Sequence, residues 1–352
     1  MNNILVIGNG YDIAHGLDTR YSDFIEYLKK MKKLEVSIAD KSEQDFVFSC
    51  IQKNGFLNYF MDYTNAVPGW VDLERLLNDI TVYFEMFFNN YSHFIDATCS
   101  ISWNSNGIDM AQSKMMMIVN CLYGFDLFDR DDSRGGYYSM HLKPEYYTHE
   151  FGLNKREILN FLKRELDDVI RVLQIYLKNH MEEKHESIKV IDQISDIHPS
   201  YVISFNYTDT YRIYGISPDD VFHVHGCLDE DNLVLGFNDE KEENLDFIYF
   251  KKYFQRIQKL TGYLDIDRLC YVNEYGESNY DSTIVHFYGH SLDKTDEDII
   301  KRLQKMSGGF VIYTYNQVDY EQKVINLIDI FGKASAMLMI ESGFFRFVQC
   351  EL

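Results

Sequence analysis

The apolar run Ile4-Leu5-Val6-Ile7 stops abruptly at Gly8-Asn9-Gly10. A strand without polar alternation needs cover on both faces, as buried parallel strands have. Helices supply those covers in α/β proteins. A glycine turn at the end of such a strand lets the backbone approach a pyrophosphate, and a following helix N-terminus favours the negative charge. The G-x-G-x-x-G fingerprint is incomplete, because Ile13 holds the third glycine position. The segment therefore reads as a phosphate cradle built on Gly8, Asn9, Gly10 and Asp12, or as a plain tight turn.

Further β-prone runs appear at 201–205, 221–225, 232–236, 283–288 and 310–315, with helical patterns at 247–261, 295–306 and 318–331. Earlier in the chain, Tyr21, Phe24, Ile25 and Leu28 share a helical face. Val71 to Phe88 reads as a strong helix, and Asn154 with Glu157 resembles a capping box before a helix over 158–177. Residues 100–150 are rich in Asn, Asp, Gly and Ser and read as a long irregular region. The economical architecture is α/β: a doubly wound, mostly parallel sheet built from 1–25 and 195–352, with a large helical insertion at 26–194.

Composition narrows the function classes. With 55 acidic and 34 basic residues the net charge is -21, which disfavours general nucleic-acid binding and anionic membranes. The six cysteines form no C-x-x-C pair, so neither a zinc ribbon nor a thioredoxin motif is indicated, and a reduced cytoplasm fits. No signal peptide and no membrane-length apolar run is read from the chain. A soluble cytoplasmic protein is expected.

The residues with chemistry sit at predicted strand ends, where open α/β sheets bind ligands. Asn206 follows Tyr201–Phe205, and His225 ends Phe222-His-Val-His225 before Gly226. Alternation along a strand puts His223 and His225 on one face. An H-x-H pair can hold a metal, with His286 and His290 as further donors, but no eight-fold β/α pattern accompanies it, and no metal is expected. Gly289-His-Ser291-Leu-Asp293 nearly spells a nucleophile elbow, yet Asp293 replaces the last glycine and no histidine follows His290. Ser291 instead suits a ribose or phosphate hydrogen bond. Asn316 ends the run 310–315 and reads equally as a ribose ligand or a helix cap. The acidic stretch Asp126 to Asp132 lacks EF-hand spacing and reads as solvated surface.

Taken together, these runs resemble the AbiH family of bacterial phage-defence proteins. The marks are Leu5-Val-Ile-Gly-Asn-Gly-Tyr-Asp-Ile-Ala-His-Gly-Leu17, Trp70-Val-Asp-Leu-Glu74, Phe205-Asn-Tyr-Thr208, His223-Val-His-Gly226 and Gly289-His-Ser-Leu292. A more distant resemblance is to the sirtuin-like NAD-binding fold. Gly8-Asn9-Gly10 is similar to its glycine turn, and Phe205-Asn206-Tyr207 to its Asn-bearing segment near the nicotinamide ribose. His225-Gly226 resembles its catalytic His-Gly pair. Gly289, Ser291 and Asn316 resemble its contacts to the adenosine half. The chain departs from that pattern where Phe205 replaces a Gln, Thr208 an Asp and Asn9 an Ala, and it lacks the paired cysteines of the zinc module. Those departures argue against protein deacylation.

The resemblance implies a phage-defence NAD glycohydrolase, with NAD as substrate, Asn206 orienting water or ribose, and His225 as general base. It also implies a restrained protein, expected to be a homo-oligomer with a phage-derived trigger. The rival expectation is a nucleotide-binding sensor or interaction module that has lost catalysis.

Overall fold

The apolar run forms β1 (Asn2–Ile7). It lies within a six-stranded sheet with β2 (Tyr201–Ser204), β3 (Val221–His223), β4 (Thr283–Tyr288), β5 (Gly309–Thr314) and β6 (Phe345–Gln349). This computed structural model describes residues 2–66, 73–94, 100–104, 110–131, 137–148, 152–238, 245–261 and 280–351. The expected helix start at Val71, the motif residues Trp70 and Asp72, Asp132, Cys99 and Cys270 lie outside the described residues.

Every strand pairing in this sheet is parallel, and the order is β6-β5-β4-β1-β2-β3. The chain moves outward from β1 through β2 to β3, then restarts on the other side of β1 at β4. The direction of winding therefore reverses between β1 and β4. Register explains the apolar runs. Phe222, Ile203, Val6, Phe287, Ile312 and Phe347 align in one row across all the strands and pack into one core. Leu5, Ile7, Val202, Tyr288, Val311 and Tyr313 point into the core on the other face. Each fully buried large apolar side chain contributes about 1.5–3 kcal/mol.

Contacts divide the chain into two compact units, one of Met1–Arg20, Leu177–Val234 and Tyr253–Leu352, the other of Tyr21–Tyr176 and Leu235–Lys252. The first holds the parallel sheet. The second contains helices Tyr21–Lys32, Lys41–Lys53, Gly55–Ala66, Leu73–Phe94 and Met110–Tyr123. It also contains most of the long helix Lys155–Lys184. Its core is aromatic: Phe125 meets Phe56 and Phe84 edge-on, each at 5.1 Å between ring centroids. Such pairs add about 0.5–1.5 kcal/mol beyond their buried area.

Three segments differ from expectation. The region 100–150 carries the helix Met110–Tyr123 and an antiparallel sheet of Ser100–Asn104, Tyr137–Leu142 and Phe128–Asp131, so part of the acidic stretch is strand. Cross-strand pairing has overridden a turn-like composition. Residues 232–236 form no strand of the sheet; the Val234 N–H donates to the His225 carbonyl at 2.8 Å, across the turn at Gly226. Strand β6 escapes a sequence reading because it is the sheet edge, with only Phe345 fully covered. Among the described residues no helix is long and apolar enough to cross a membrane.

Candidate functional site

Because the strands are parallel, their carboxyl ends share one edge of the sheet. Gly8, Asn206, His225, Gly289 and Asn316 all follow within two residues of a strand end there. The turns after β1 and β4 meet backbone to backbone. The Gly10 N–H donates to Gly289 O at 2.8 Å, and the Gly8 N–H to Tyr288 O at 3.3 Å. Gly289 has φ +67°, and a Cβ there would lie 2.0 Å from Tyr11 N. A Cβ on Gly10 would lie 2.8 Å from Gly289 Cα. The glycines are thus accounted for by the crossing of the two turns. The helix that follows, Asn9–Ala14, has only six residues. Asn9 is exposed and accepts from the Thr19 hydroxyl at 2.6 Å, while the Tyr315 hydroxyl donates to Gly10 O at 2.6 Å.

Asn206 is buried and donates from Nδ2 to Gly8 O at 3.0 Å, which ties the end of β2 to the glycine turn. Beside it lies Asp12, only 1% exposed, whose Oδ2 accepts from the Thr208 hydroxyl at 2.6 Å. Burial raises the Asp12 carboxyl to about 6, although hydrogen bonding from Thr208, Thr210 and Asn206 opposes the rise. Asp12 is therefore a carboxyl that titrates near neutrality. The neighbouring His15 is structural: one ring nitrogen meets Tyr11 O at 2.6 Å and the other the Tyr214 hydroxyl at 2.7 Å.

The two histidines of the H-x-H pair do not share a face. β3 ends at His223, and the chain turns at once. His223 packs on Tyr211, with Nδ1 3.4 Å from Asn206 O, and burial lowers its pKa. His225 instead meets the Phe205 ring, and its Nε2 lies 3.6 Å from Asp296 Oδ1. His290 Nε2 lies 3.7 Å from Asp296 Oδ2 on the same carboxylate, and its ring packs against Phe205 at 4.2 Å. His286 stands apart, stacked on Tyr313. Among the described residues no group of three His, Cys, Asp or Glu could hold a metal ion.

A cavity of about 270 Å³ opens beside the ends of β2 and β3, with Tyr207, Asp209, Tyr211, His223, Cys227 and Glu182 among its lining. Its lining includes Tyr207, next to Asn206, and His223 and Cys227, two residues to either side of His225; Asn206, His225, Gly8, Ser291 and Asn316 are not among it. Ser291 is exposed, and its carbonyl accepts from Asn326. Asn316 caps the helix Gln317–Phe331, its Oδ1 accepting from the Asp319 N–H at 3.0 Å. Sequence reasoning missed Asp296, which looks like an ordinary helix-start residue, and gave Thr208 no partner.

The protein-family model for bacteriophage abortive infection AbiH matches residues 4–315. No curated protein and no solved structure matches the chain. The match runs from the first strand to the end of β5, taking in the glycine turn, Asn206, His225 and Gly289, and the chain belongs to the AbiH family of bacteriophage abortive infection proteins.

Proposed function

We propose that this abortive infection protein is an NAD glycohydrolase, binding the dinucleotide across the carboxyl edge of the parallel sheet. The observation that carries the reading is the strand order. Its reversal between β1 and β4 is the arrangement in which doubly wound folds bind dinucleotides. Asn206 and His225 stand just past neighbouring strand ends on that edge, and Asp12 lies in the short helix that follows β1. The aromatic, carboxylate-bearing cavity at Tyr207 and Tyr211 suits a flat cationic ring such as nicotinamide.

In the reaction, the bond from ribose C1′ to the nicotinamide nitrogen breaks, and its electron pair neutralises the ring charge. A water oxygen bonds to C1′, and its proton goes to His225. Asn206 Nδ2 is engaged by Gly8 O, which aims the amide oxygen to hold the water or a ribose hydroxyl. The products are nicotinamide, ADP-ribose and a proton.

The deep burial of Asn206 (6% exposed) and His225 (7%) favours a second reading, a nucleotide sensor without turnover. Chromatography of NAD incubated with the purified protein, with and without phage lysate, separates the two. Nicotinamide release that disappears in His225→Ala and Asn206→Ala supports the enzyme. Protection of cells from phage with no loss of NAD refutes it, and saturable NAD binding without turnover establishes the sensor.

A further inference from the structure

The polar cluster behind His225 has a directionality that the reaction above does not use. His225, Asp296 and His290 are 7%, 6% and 3% exposed, so three ionisable groups are packed together away from water. Asp296 precedes the helix Glu297–Lys305, yet its side chain makes no capping hydrogen bond. Its two oxygens face the two imidazoles instead, Oδ1 at 3.6 Å from His225 and Oδ2 at 3.7 Å from His290. The His290 tautomer is fixed by its other nitrogen: Nδ1 accepts from the Leu292 N–H at 2.9 Å. A neutral imidazole has one donor and one acceptor, so the His290 proton sits on Nε2 and points at Asp296. That proton also removes His290 Nε2 as a metal ligand. Gly289 and Leu292, either side of His290, are left-handed, at φ +67° and +56°.

We propose that Asp296, backed by His290, is a buried electrostatic partner that sets the charge balance of His225, making both of them positioning residues for its base chemistry. The proposal rests on the glycohydrolase reading for its catalytic consequence, but not for its geometry. With His225 Nε2–H directed at Asp296, the Nδ1 lone pair is the one that takes the water proton. At 3.6 and 3.7 Å both contacts are longer than hydrogen bonds, so the coupling is electrostatic: the imidazolium so formed faces one oxygen of the Asp296 carboxylate, and the His290 Nε2–H faces the other. The groups bearing on His290 are Asp296, His225, Lys323 and Asp293, with Lys323 also engaged to Tyr313 O and Asp319. Phe205 packs against both rings and keeps the cluster dry.

The test is a histidine NMR titration of wild type, Asp296→Asn, His290→Gln and His290→Asn, run beside nicotinamide release at several pH values. Removing the carboxylate should lower the His225 midpoint by at least about one pH unit. It should also cut release about 10²–10⁴-fold. His290→Gln restores a donor near the Nε2 position and should preserve both readouts better than His290→Asn. An unmoved His225 midpoint in folded Asp296→Asn overturns the pairing, and so does equal behaviour of the two His290 variants if Asp296→Asn does not fold. If wild type releases no nicotinamide, the titration alone decides the pairing and the hydrolase reading falls separately.

Discussion

Replacing Asp12 with Asn should make the protein gain stability over wild type as the pH rises. The carboxyl is 1% exposed and titrates at about 6 in the folded protein instead of the ordinary 3.8, chiefly because burial opposes ionisation. At about 1.36 kcal/mol per pH unit, that rise corresponds to about 3 kcal/mol. The sign follows from proton counting. Below about pH 4 both the folded and unfolded carboxyls are protonated, and Asp12 contributes nothing. Between about pH 4 and 6 the unfolded chain ionises while the folded one holds its proton, so stability falls with pH; above that window the full penalty persists. In Asp12→Asn the amide oxygen still accepts from the Thr208 hydroxyl. Urea denaturation of both proteins from pH 4 to pH 8 isolates this contribution, because other titrating groups cancel in the difference. The stability difference should move by about 3 kcal/mol in favour of the variant and level off above about pH 6. A flat difference across that window refutes the claim that burial governs this carboxyl.

Other consequences are open to similar tests. Glu165 is raised from 4.5 to about 7 by burial, against the Gly55 N–H that donates to it at 2.6 Å. Glu165→Gln should therefore gain relative stability as pH rises from about 4.5 to 7, and a denaturation series with the opposite slope contradicts this. Gly289→Ala puts a Cβ 2.0 Å from Tyr11 N at a φ of +67°, and should lower stability by about 1–3 kcal/mol or more in a thermal melt. Asn316→Ala removes a helix cap and should cost about 1 kcal/mol while leaving nicotinamide release unchanged. Lost release at unchanged stability would put Asn316 on the ligand instead.

The parallel sheet was legible because its strands are covered on both faces. Ile4–Ile7, Val202–Ile203 and Phe310–Ile312 carry no alternation to blur them. The edge strand Phe345–Gln349 was not legible, since exposure on one side mixes Arg346 and Gln349 into its pattern. The antiparallel strands near Ser100 and Tyr137 depend on partners in each other, which no local pattern displays. At the site, strand ends could be read, but side-chain direction could not. The H-x-H pair assumed a strand running through His225, whereas it ends at His223. Asn316 had two readings in the sequence, and the cap is the one its geometry shows.

Two of the departures from the sirtuin-like pattern, at 205 and 208, fall beside the candidate site, and each has a local partner. Thr208 stands where that pattern has an Asp, and its hydroxyl is spent on Asp12 at 2.6 Å. A carboxyl does lie beside Thr208, supplied by Asp12 in the short helix after β1 and raised by burial to about 6. Phe205 stands where the pattern has a Gln, and it packs against His290 and against His225. An apolar ring at 205 is thereby offset by an imidazole at 290, aimed through Asp296 at the same histidine. The site thus buries a carboxyl at a cost of about 3 kcal/mol and an imidazole whose pKa burial drives down to about 4. The double variant Thr208→Asp with Asp12→Asn distinguishes the cases: it moves the carboxyl to the other element while keeping its number constant. Nicotinamide release recovered there, but absent in Asp12→Asn alone, would show that the carboxyl is required by the chemistry. Equal loss in both would leave Asp12 a feature of this fold's own geometry.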